Sequence, residues 1–490
     1  MKTFRLFIGG DWCDPAGGKW FDSIEPYTGR PWARIPHGGP EDVEAAVAAA
    51  RHAFEQGDWA RTNATTRGRL LRRLGDLLRD QGEEIARIEA RDNGKRLAEA
   101  LPQFRYLPEW LYYYGGLADK VEGAVIPLDI PDVFNFTRYE PLGVVAAITP
   151  WNSPVMLMLW KLAPALAAGN TLVVKPSEHA SASTLAFMEL VQQAGFPPGV
   201  VNVVTGFADG AGEPLVSHPD VAKVTFTGSV NGGRAVNRTA ADQLKPVTLE
   251  LGGKSPQIVF ADANLDNAVN GVLSGLFLSN GQTCVAGARI LVQEEIVPEF
   301  EQRLVGALAD LRMGDPSDPA TRIGPIANEM QFDTILGFLD SAKAEGAELV
   351  VGGHRATRPG CEEGWFVEPT VYRNVRPDMR IAREEIFGPV AGMMTFTDEA
   401  EAVAMANDSP FGLAAGVWTE NIRLAHRMAA SLKCGTVYIN TYRSVSMMSP
   451  AGGYKLSGIG RENGQEMIRE FLQVKSVWIN NAEVVPNPFA

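Results

Sequence analysis

The chain has 490 residues, 45% hydrophobic and 21% charged, ordinary values for a globular protein large enough to divide into domains. Its formal net charge of -13 repels nucleic acid and anionic membrane surfaces, and no basic run reverses this locally. Four cysteines (Cys13, Cys284, Cys361, Cys434) are too few and too scattered for a disulfide framework or a metal site, which fits a reducing cytoplasm.

Taken in order, residues 1 to 40 are turn-rich, with a short strand candidate at Phe4 to Ile8 whose apolar part is too brief for a signal peptide. Glu41 to Gln56 puts Val43, Val47, Ala50 and Phe54 on one stripe and acids in its first turn, which predicts a helix. Leucines and isoleucines from Leu70 to Ile88 predict a longer helical region ending near Asn93-Gly94. The aromatic cluster Trp110 to Tyr114 suits core packing. Val133 to Tyr139 alternates between flanking prolines and reads as part of a hairpin.

From Gly143 short apolar strands alternate with helices. Strands are expected at Val144 to Thr149, Thr171 to Val174, Val200 to Val204, Val224 to Thr227 and Val247 to Leu251, and helices near Trp160 to Ala168, Ser181 to Ala194 and Ser229 to Ala241. That rhythm predicts a parallel, doubly wound sheet with ligands at the carboxyl ends of its strands. No Gly-x-Gly-x-x-Gly occurs, so the usual dinucleotide fingerprint is missing. Two charge-free runs invite a membrane reading. Pro141 to Trp160 is broken by prolines and Asn152, and Asn267 to Ala288 by Asn270, Asn280, Gln282 and several glycines; the second suits an interior helix. After Cys284 a second α/β pattern begins. Its strands are expected at Ile290 to Gln293, Thr370 to Val375, Val390 to Phe396, Ala414 to Trp418 and Thr436 to Asn440, with helices at Glu299 to Arg312, Asp398 to Asn407 and Asn421 to Ser431. Phe471 to Ile479 is a last strand candidate.

A lone cysteine is ordinarily a small buried hydrophobe. Cys284 differs because it follows the polar loop Asn280-Gly-Gln-Thr283 at the end of a buried run, and a thiolate needs both access and stabilisation. Glu250 ends a strand-like run and precedes Gly252 and Gly253, which admit close approach to the backbone. A thiol and a carboxylate in charge-poor surroundings suit a nucleophile and a general base; spacing alone leaves structural roles equally open. Phe226-Thr-Gly-Ser229 closes a strand before a helix, where backbone N–H groups attract pyrophosphate, although an ordinary serine cap has the same pattern. Lys175 and Glu178 after a buried strand are also compatible with a solvated charge pair, and Asn152 in a proline-rich turn with a structural role.

The pairing of Glu250-Leu-Gly-Gly-Lys-Ser-Pro with Gly281-Gln-Thr-Cys284 resembles the NAD(P)-dependent aldehyde dehydrogenase superfamily. So do Pro150-Trp-Asn152, Lys175-Pro-Ser-Glu178, Phe226-Thr-Gly-Ser229, Glu385-Ile-Phe-Gly-Pro389 and Gly452-Gly-Tyr-Lys-Leu-Ser-Gly458, in family order over nearly the whole chain. The resemblance implies an α/β fold with a doubly wound cofactor domain (1–121 and 142–252), an oligomerisation arm (122–141), a catalytic domain (253–456) and a C-terminal return with an oligomerisation strand (457–490), assembled as a homodimer or homotetramer. It implies Cys284 as nucleophile, Glu250 as the base that activates water and Asn152 as an oxyanion donor. Lys161 and Glu462 match a proton exit path, though as residues they suit a plain salt bridge. Lys175 and Glu178 hold the adenosine ribose, which favours NAD while leaving NADP possible. Gly228 and Ser229 meet phosphate, and Glu385 and Phe387 meet the nicotinamide riboside. Thr149, Trp151, Gly212, Phe226 and Leu251 complete the cofactor contacts.

The substrate is then an aldehyde. Positions aligned with its tunnel are Ser153, Leu157, Trp160, Val285, Val445 and Ala451; relatives often carry aromatics where Ser153, Val445 and Ala451 stand, so a wide tunnel and an aldehyde larger than acetaldehyde are expected. Arg443 is a candidate for a substrate carboxylate, against a solvent-facing role. Gly232 replaces an apolar residue of relatives and would loosen the adenine pocket. The rival readings are a CoA-acylating enzyme, which Glu250 disfavours, and a non-catalytic protein retaining the fold.

Overall fold

The computed structural model describes residues 1–490. Strands Val247–Glu250, Val221–Thr227, Val144–Thr149, Thr171–Pro176 and Val201–Val203 lie side by side in that order, all parallel. Along the chain the strand at Val144 comes first and sits in the middle, so the winding reverses between it and Val221–Thr227. Such a reversal opens a crevice at the strand ends. Successive side chains of one strand feed two cores: Val145 and Ala147 pack with the long helices, while Val144, Ala146 and Ile148 pack with Val43 and Val47 of the first helix. Antiparallel strands close both edges, Gly458–Ile459 on one side and Leu6–Ile8 followed by Asp11–Cys13 on the other.

A second sheet runs Glu348–Val351, Thr370–Arg373, Val390–Phe396, Arg289–Gln293, Pro256–Val259, Ala414–Trp418, Thr436–Ile439, parallel except at its first strand. The strand Pro256–Val259 was not expected, because a proline opens it and Gln257 interrupts its apolar run. The helices Leu97–Tyr106, Pro108–Leu117 and Glu329–Ala344 were also not expected. The last of these buries Phe332, Ile335, Phe338 and Leu339, a stripe legible in the sequence.

Two helices differ from expectation in a way that shapes the site. The helix expected from Trp160 begins at Pro154, whose fixed φ suits a first helical position, and ends at left-handed Gly169. The interior helix expected across Asn267 to Ala288 is short. It runs Leu265–Val272, widens into a π turn over Leu273–Phe277, and stops where Ser279 and Asn280 take φ of +50° and +54°. Left-handed backbone at two consecutive non-glycine residues persists only when surrounding bonds over-determine it.

The expected hairpin is part of a three-stranded sheet: Val133–Pro141 pairs with Val125–Ile126 and, along its full length, with Leu472–Asn480. The arm thus meets the chain's own tail. No helix is long and apolar enough to cross a membrane.

Candidate active site

Glu250 ends a strand and is 6% exposed, and its Oε1 has no hydrogen-bond partner. Burial pushes its carboxyl well above the ordinary range; the nearby Glu462 carboxylate pushes the same way, while Lys161 and Arg461 oppose. Register sets this group out. Glu250 lies beside Thr227, and Thr227 Oγ1 accepts a hydrogen bond from Lys161 Nζ at 2.6 Å. Lys161 also makes a fully buried ion pair with Glu462, whose second oxygen has no partner. A side chain at Gly452 would put its Cβ 2.7 Å from Glu250 Oε1, so the space before the carboxylate exists only with glycine there.

Cys284 follows the left-handed turn, and that turn is tied down from several directions. Ser279 donates its N–H and Oγ–H to Glu99 at 2.9 and 2.7 Å. Asn280 Nδ2 donates to the carbonyls of Gly324 and Pro325 at 2.8 and 2.7 Å. Gln282 Oε1 accepts from the Ala327 N–H at 2.9 Å, and the Tyr442 hydroxyl donates to the Val285 carbonyl at 2.8 Å. Asn152 Nδ2 donates to the Gln282 carbonyl at 3.0 Å, which aims one N–H at the cysteine loop and leaves the other free. Cys284 is a free thiol. Burial pushes it up to about 12, with Glu250 and Glu385 adding to the rise and the N–H groups of Val285 and Cys284 offsetting part.

The expected cofactor residues gather at the carboxyl ends of the first sheet, on both sides of the reversal. Thr149 Oγ1 is buried without a partner. Ser229 caps the helix Val230–Ala241 by accepting the Gly232 N–H at 3.1 Å, and the Gly228 N–H donates to the Glu250 carbonyl at 3.0 Å. Lys175 Nζ lies 3.4 Å from Glu178 and donates to the Pro176 carbonyl at 3.2 Å, with Gly212 against its aliphatic stem. Leu251 packs beneath Gly233 of the capped helix. Glu385 accepts the Gly253 N–H at 3.0 Å, and its other oxygen fills the place a Gly252 side chain would take. Burial brings the Glu385 carboxyl to about 7. Phe387, at φ +55°, meets Trp151 edge to face at 5.1 Å. Gly232 does not loosen this crevice: a Cβ there would fall 2.9 Å from the Phe226 ring, which already fills the space.

The aldehyde dehydrogenase family model matches residues 12–477. The chain belongs to the aldehyde dehydrogenase family. A betaine aldehyde dehydrogenase of Staphylococcus aureus, solved with NAD+, is similar at 41% identity with a TM-score of 0.97, covering 99% of this chain and 96% of that one. An aldehyde dehydrogenase of Bacillus cereus, also solved with NAD+, is similar at 42% identity with a TM-score of 0.95, covering 98% and 97%. For this aldehyde dehydrogenase, NAD is the cofactor that these two relatives hold. Its crevice fits that cofactor: the unpartnered Thr149 hydroxyl, the capped helix start at Ser229 and the Lys175–Glu178 pair supply donors and acceptors of the required kinds.

In this aldehyde dehydrogenase the expected tunnel residues divide. Leu157 and Trp160 are buried in the large first core, with Ala451 packed against it beside Met447. Trp160 stacks on Trp110 at 6.1 Å, and its indole Nε1 has no partner. Val445 is 39% exposed, so it belongs to a rim and not to an enclosed wall. Ser153 is buried and its Oγ accepts from Lys95 Nζ at 2.7 Å. Arg443 has a bracing role: its guanidinium donates to the carbonyls of Ser274 and Leu278 at 3.2 and 3.0 Å and so holds the turn ahead of Cys284. Lys95 and Glu99 were missed. Their signal was present in Asn93-Gly94, which ends a helix and turns the next residues toward Asn152, with Asn93 Nδ2 donating to the Asn152 carbonyl at 3.3 Å.

Proposed function

We propose that this enzyme oxidises its aldehyde to a carboxylic acid through a covalent adduct on Cys284, with Asn152 and the Cys284 N–H as oxyanion donors and Glu250 as the base. The observation that carries this reading is the convergence, from three separate elements, of a thiol, an uncharged amide donor and a buried carboxylate with an unpartnered oxygen. Cys284 gives up its proton to solvent, and its sulfur, as the thiolate, adds to the carbonyl carbon. The oxygen becomes an alkoxide held by Asn152 Nδ2–H and the Cys284 N–H; one such donor contributes about 10²–10³ in rate. Held at Lys175, Glu178 and Ser229, NAD would supply the acceptor for the hydride of this thiohemiacetal. What remains on Cys284 is a thioester. Glu250 then takes a proton from water, whose oxygen attacks the thioester; the carbon–sulfur bond breaks, the acid is released and Cys284 returns as the thiolate. The proton leaves Glu250 by way of Glu462, whose unpartnered oxygen can receive it and whose charge Lys161 balances. Hydrolysis, not transfer to CoA, is the second step, because transfer would give a buried water-activating carboxylate no task. The chemistry needs a free thiol, which a reducing cytoplasm maintains.

For the substrate we propose an uncharged or anionic aldehyde longer than acetaldehyde. A trimethylammonium tail calls for aromatic faces or carboxylates around it. Here the aligned aromatics are absent at Ser153, Val445 and Ala451, and the donors nearby are Trp160 Nε1 and Lys95 Nζ, the latter 3.6 Å from buried Glu89. Incubating the enzyme with each aldehyde and NAD, with and without CoA, tests this. We expect reduced cofactor and free acid without CoA. Each buried methylene is worth about 0.8 kcal/mol, so hexanal should exceed acetaldehyde in kcat/KM by ~10²-fold. Acetaldehyde and betaine aldehyde should be the poorest against long aliphatic, aromatic and carboxylated aldehydes, and Ala451→Phe should selectively impair the bulky ones. Acetaldehyde as best substrate with no effect of Ala451→Phe would refute the wide tunnel and leave the chemistry standing.

We further propose a homodimer or homotetramer joined through the three-stranded arm sheet, where Phe134, Val474, Trp478 and Ile479 are exposed. Truncation is a poor test, since it would also unpair Val133–Pro141 within the subunit. Trp478→Glu keeps that pairing. It should lower the mass measured by light scattering, and an unchanged mass would place the interface elsewhere.

A further inference from the structure

A second cleft, separate from the site above, lies beside Lys254. Its walls include Lys254, Arg289, Phe411, Leu413, Lys433 and Cys434, and its enclosed room, about 10 Å³, takes a single water-sized atom behind an open mouth. The lining contains three cations and no carboxylate. Lys254 is 2% exposed, and its Nζ has no hydrogen-bond partner. An ammonium buried without a counter-charge costs several kcal/mol, so such a group sheds its proton or finds an anion.

No carboxylate bonds to Lys254 Nζ, although Glu385 and Glu384 lie within electrostatic reach. Arg289 is committed to carbonyls, donating to Lys254, Met405 and Ala406 at 2.9, 2.9 and 2.8 Å, and so adds positive charge without accepting anything. On the rim, Lys455 Nζ donates to the carbonyls of Asn407 and Ser409 at 3.0 and 2.8 Å. Asp408 is taken by Arg383 at 2.8 Å. Cys434 is a neutral thiol, raised to about 11 by burial. Burial, with Arg289 adding to it, brings the Lys254 amine down to about 7, while Glu385 and Glu384 pull it back up.

We propose that this cleft binds a small anion, an inorganic ion or the carboxylate of a short acid, with Lys254 Nζ as its charged donor. The site is independent of the reaction assigned above. Bound anion holds a proton on Lys254, so affinity falls as pH rises through the neutral range, where the empty site loses that proton.

Two measurements on the full-length enzyme decide it. Crystals soaked in bromide should show an anomalous peak within hydrogen-bonding reach of Lys254 Nζ. In solution, NAD-saturated enzyme at constant ionic strength should melt about 2–3 °C higher with phosphate at a hundredfold excess over its dissociation constant at pH 6.5, and less so at pH 8.5. Saturation with NAD removes the cofactor crevice as a competing phosphate site. Lys254→Met and Lys254→Gln should lose the response. A parallel titration with acetate distinguishes sources: a response to phosphate alone assigns an inorganic ion, and a response to both admits the carboxylate. No bromide peak at Lys254 overturns the proposal, as does an equal melting response in the variants. Should neither variant fold, the bromide result on the wild type decides alone.

Discussion

Cys284→Ala lowers NAD-dependent aldehyde oxidation by ~10⁴-fold or more, because every later step depends on the sulfur–carbon bond. Cofactor affinity stays within about twofold, since the crevice residues at Thr149, Lys175, Glu178 and Ser229 do not depend on the sulfur. Fluorescence titration with NAD and a steady-state assay measure the two quantities on one preparation. Cys13→Ala, Cys361→Ala and Cys434→Ala serve as controls and retain activity. The thiol's position at about 12 adds a pH test. The reactive form is deprotonated, so the rate of adduct formation rises with pH and does not level off at the ordinary cysteine value unless Glu250 takes the proton. Wild-type turnover in Cys284→Ala would end the covalent mechanism.

Glu250→Gln separates the two halves of the reaction. Glutamine keeps the shape at the end of the strand but cannot take a proton from water. Rapid mixing should show a burst of reduced cofactor of about one per active site, then steady turnover lower by ~10²–10⁴, the range a general base contributes. Wild-type deacylation should also rise with pH over a window above the ordinary carboxylate range. The sign follows from the raised pKa: the base is active when deprotonated, and burial beside Glu462 delays that deprotonation to higher pH. The variant should lose this dependence. Loss of the burst as well would assign Glu250 to activating the Cys284 thiol, a role its position beside that thiol also permits.

The alternation of apolar strands with helices was legible because it is local. Val390–Phe396 and Ala414–Trp418 have the boundaries their apolar runs predict. Local pattern failed where tertiary contact overrode it. The charge-free run after Asn267 looks helical throughout, yet its backbone turns left-handed at Ser279, because Glu99, Arg443 and the carbonyls of Gly324 and Pro325 hold it there from distant parts of the chain. The short strand Pro256–Val259 exists because Arg289–Gln293 and Ala414–Trp418 pair with it on either side, not because its own residues demand it.

Local residue pattern is enough for the alternating elements, the glycines that permit close approach, and the thiol, carboxylate and amide that the motifs single out. What surrounds them depends on the folded chain. Folding brought Glu462 and Lys161 within electrostatic reach of Glu250, paired those two with each other, set Lys95 against Ser153, gave Arg443 to carbonyls, and left Lys254 Nζ without a hydrogen bond. Each of these is a matter of which distant charge or carbonyl comes within about 4 Å, where Coulomb and hydrogen-bond energies become large in a buried setting. No local spacing encodes that distance.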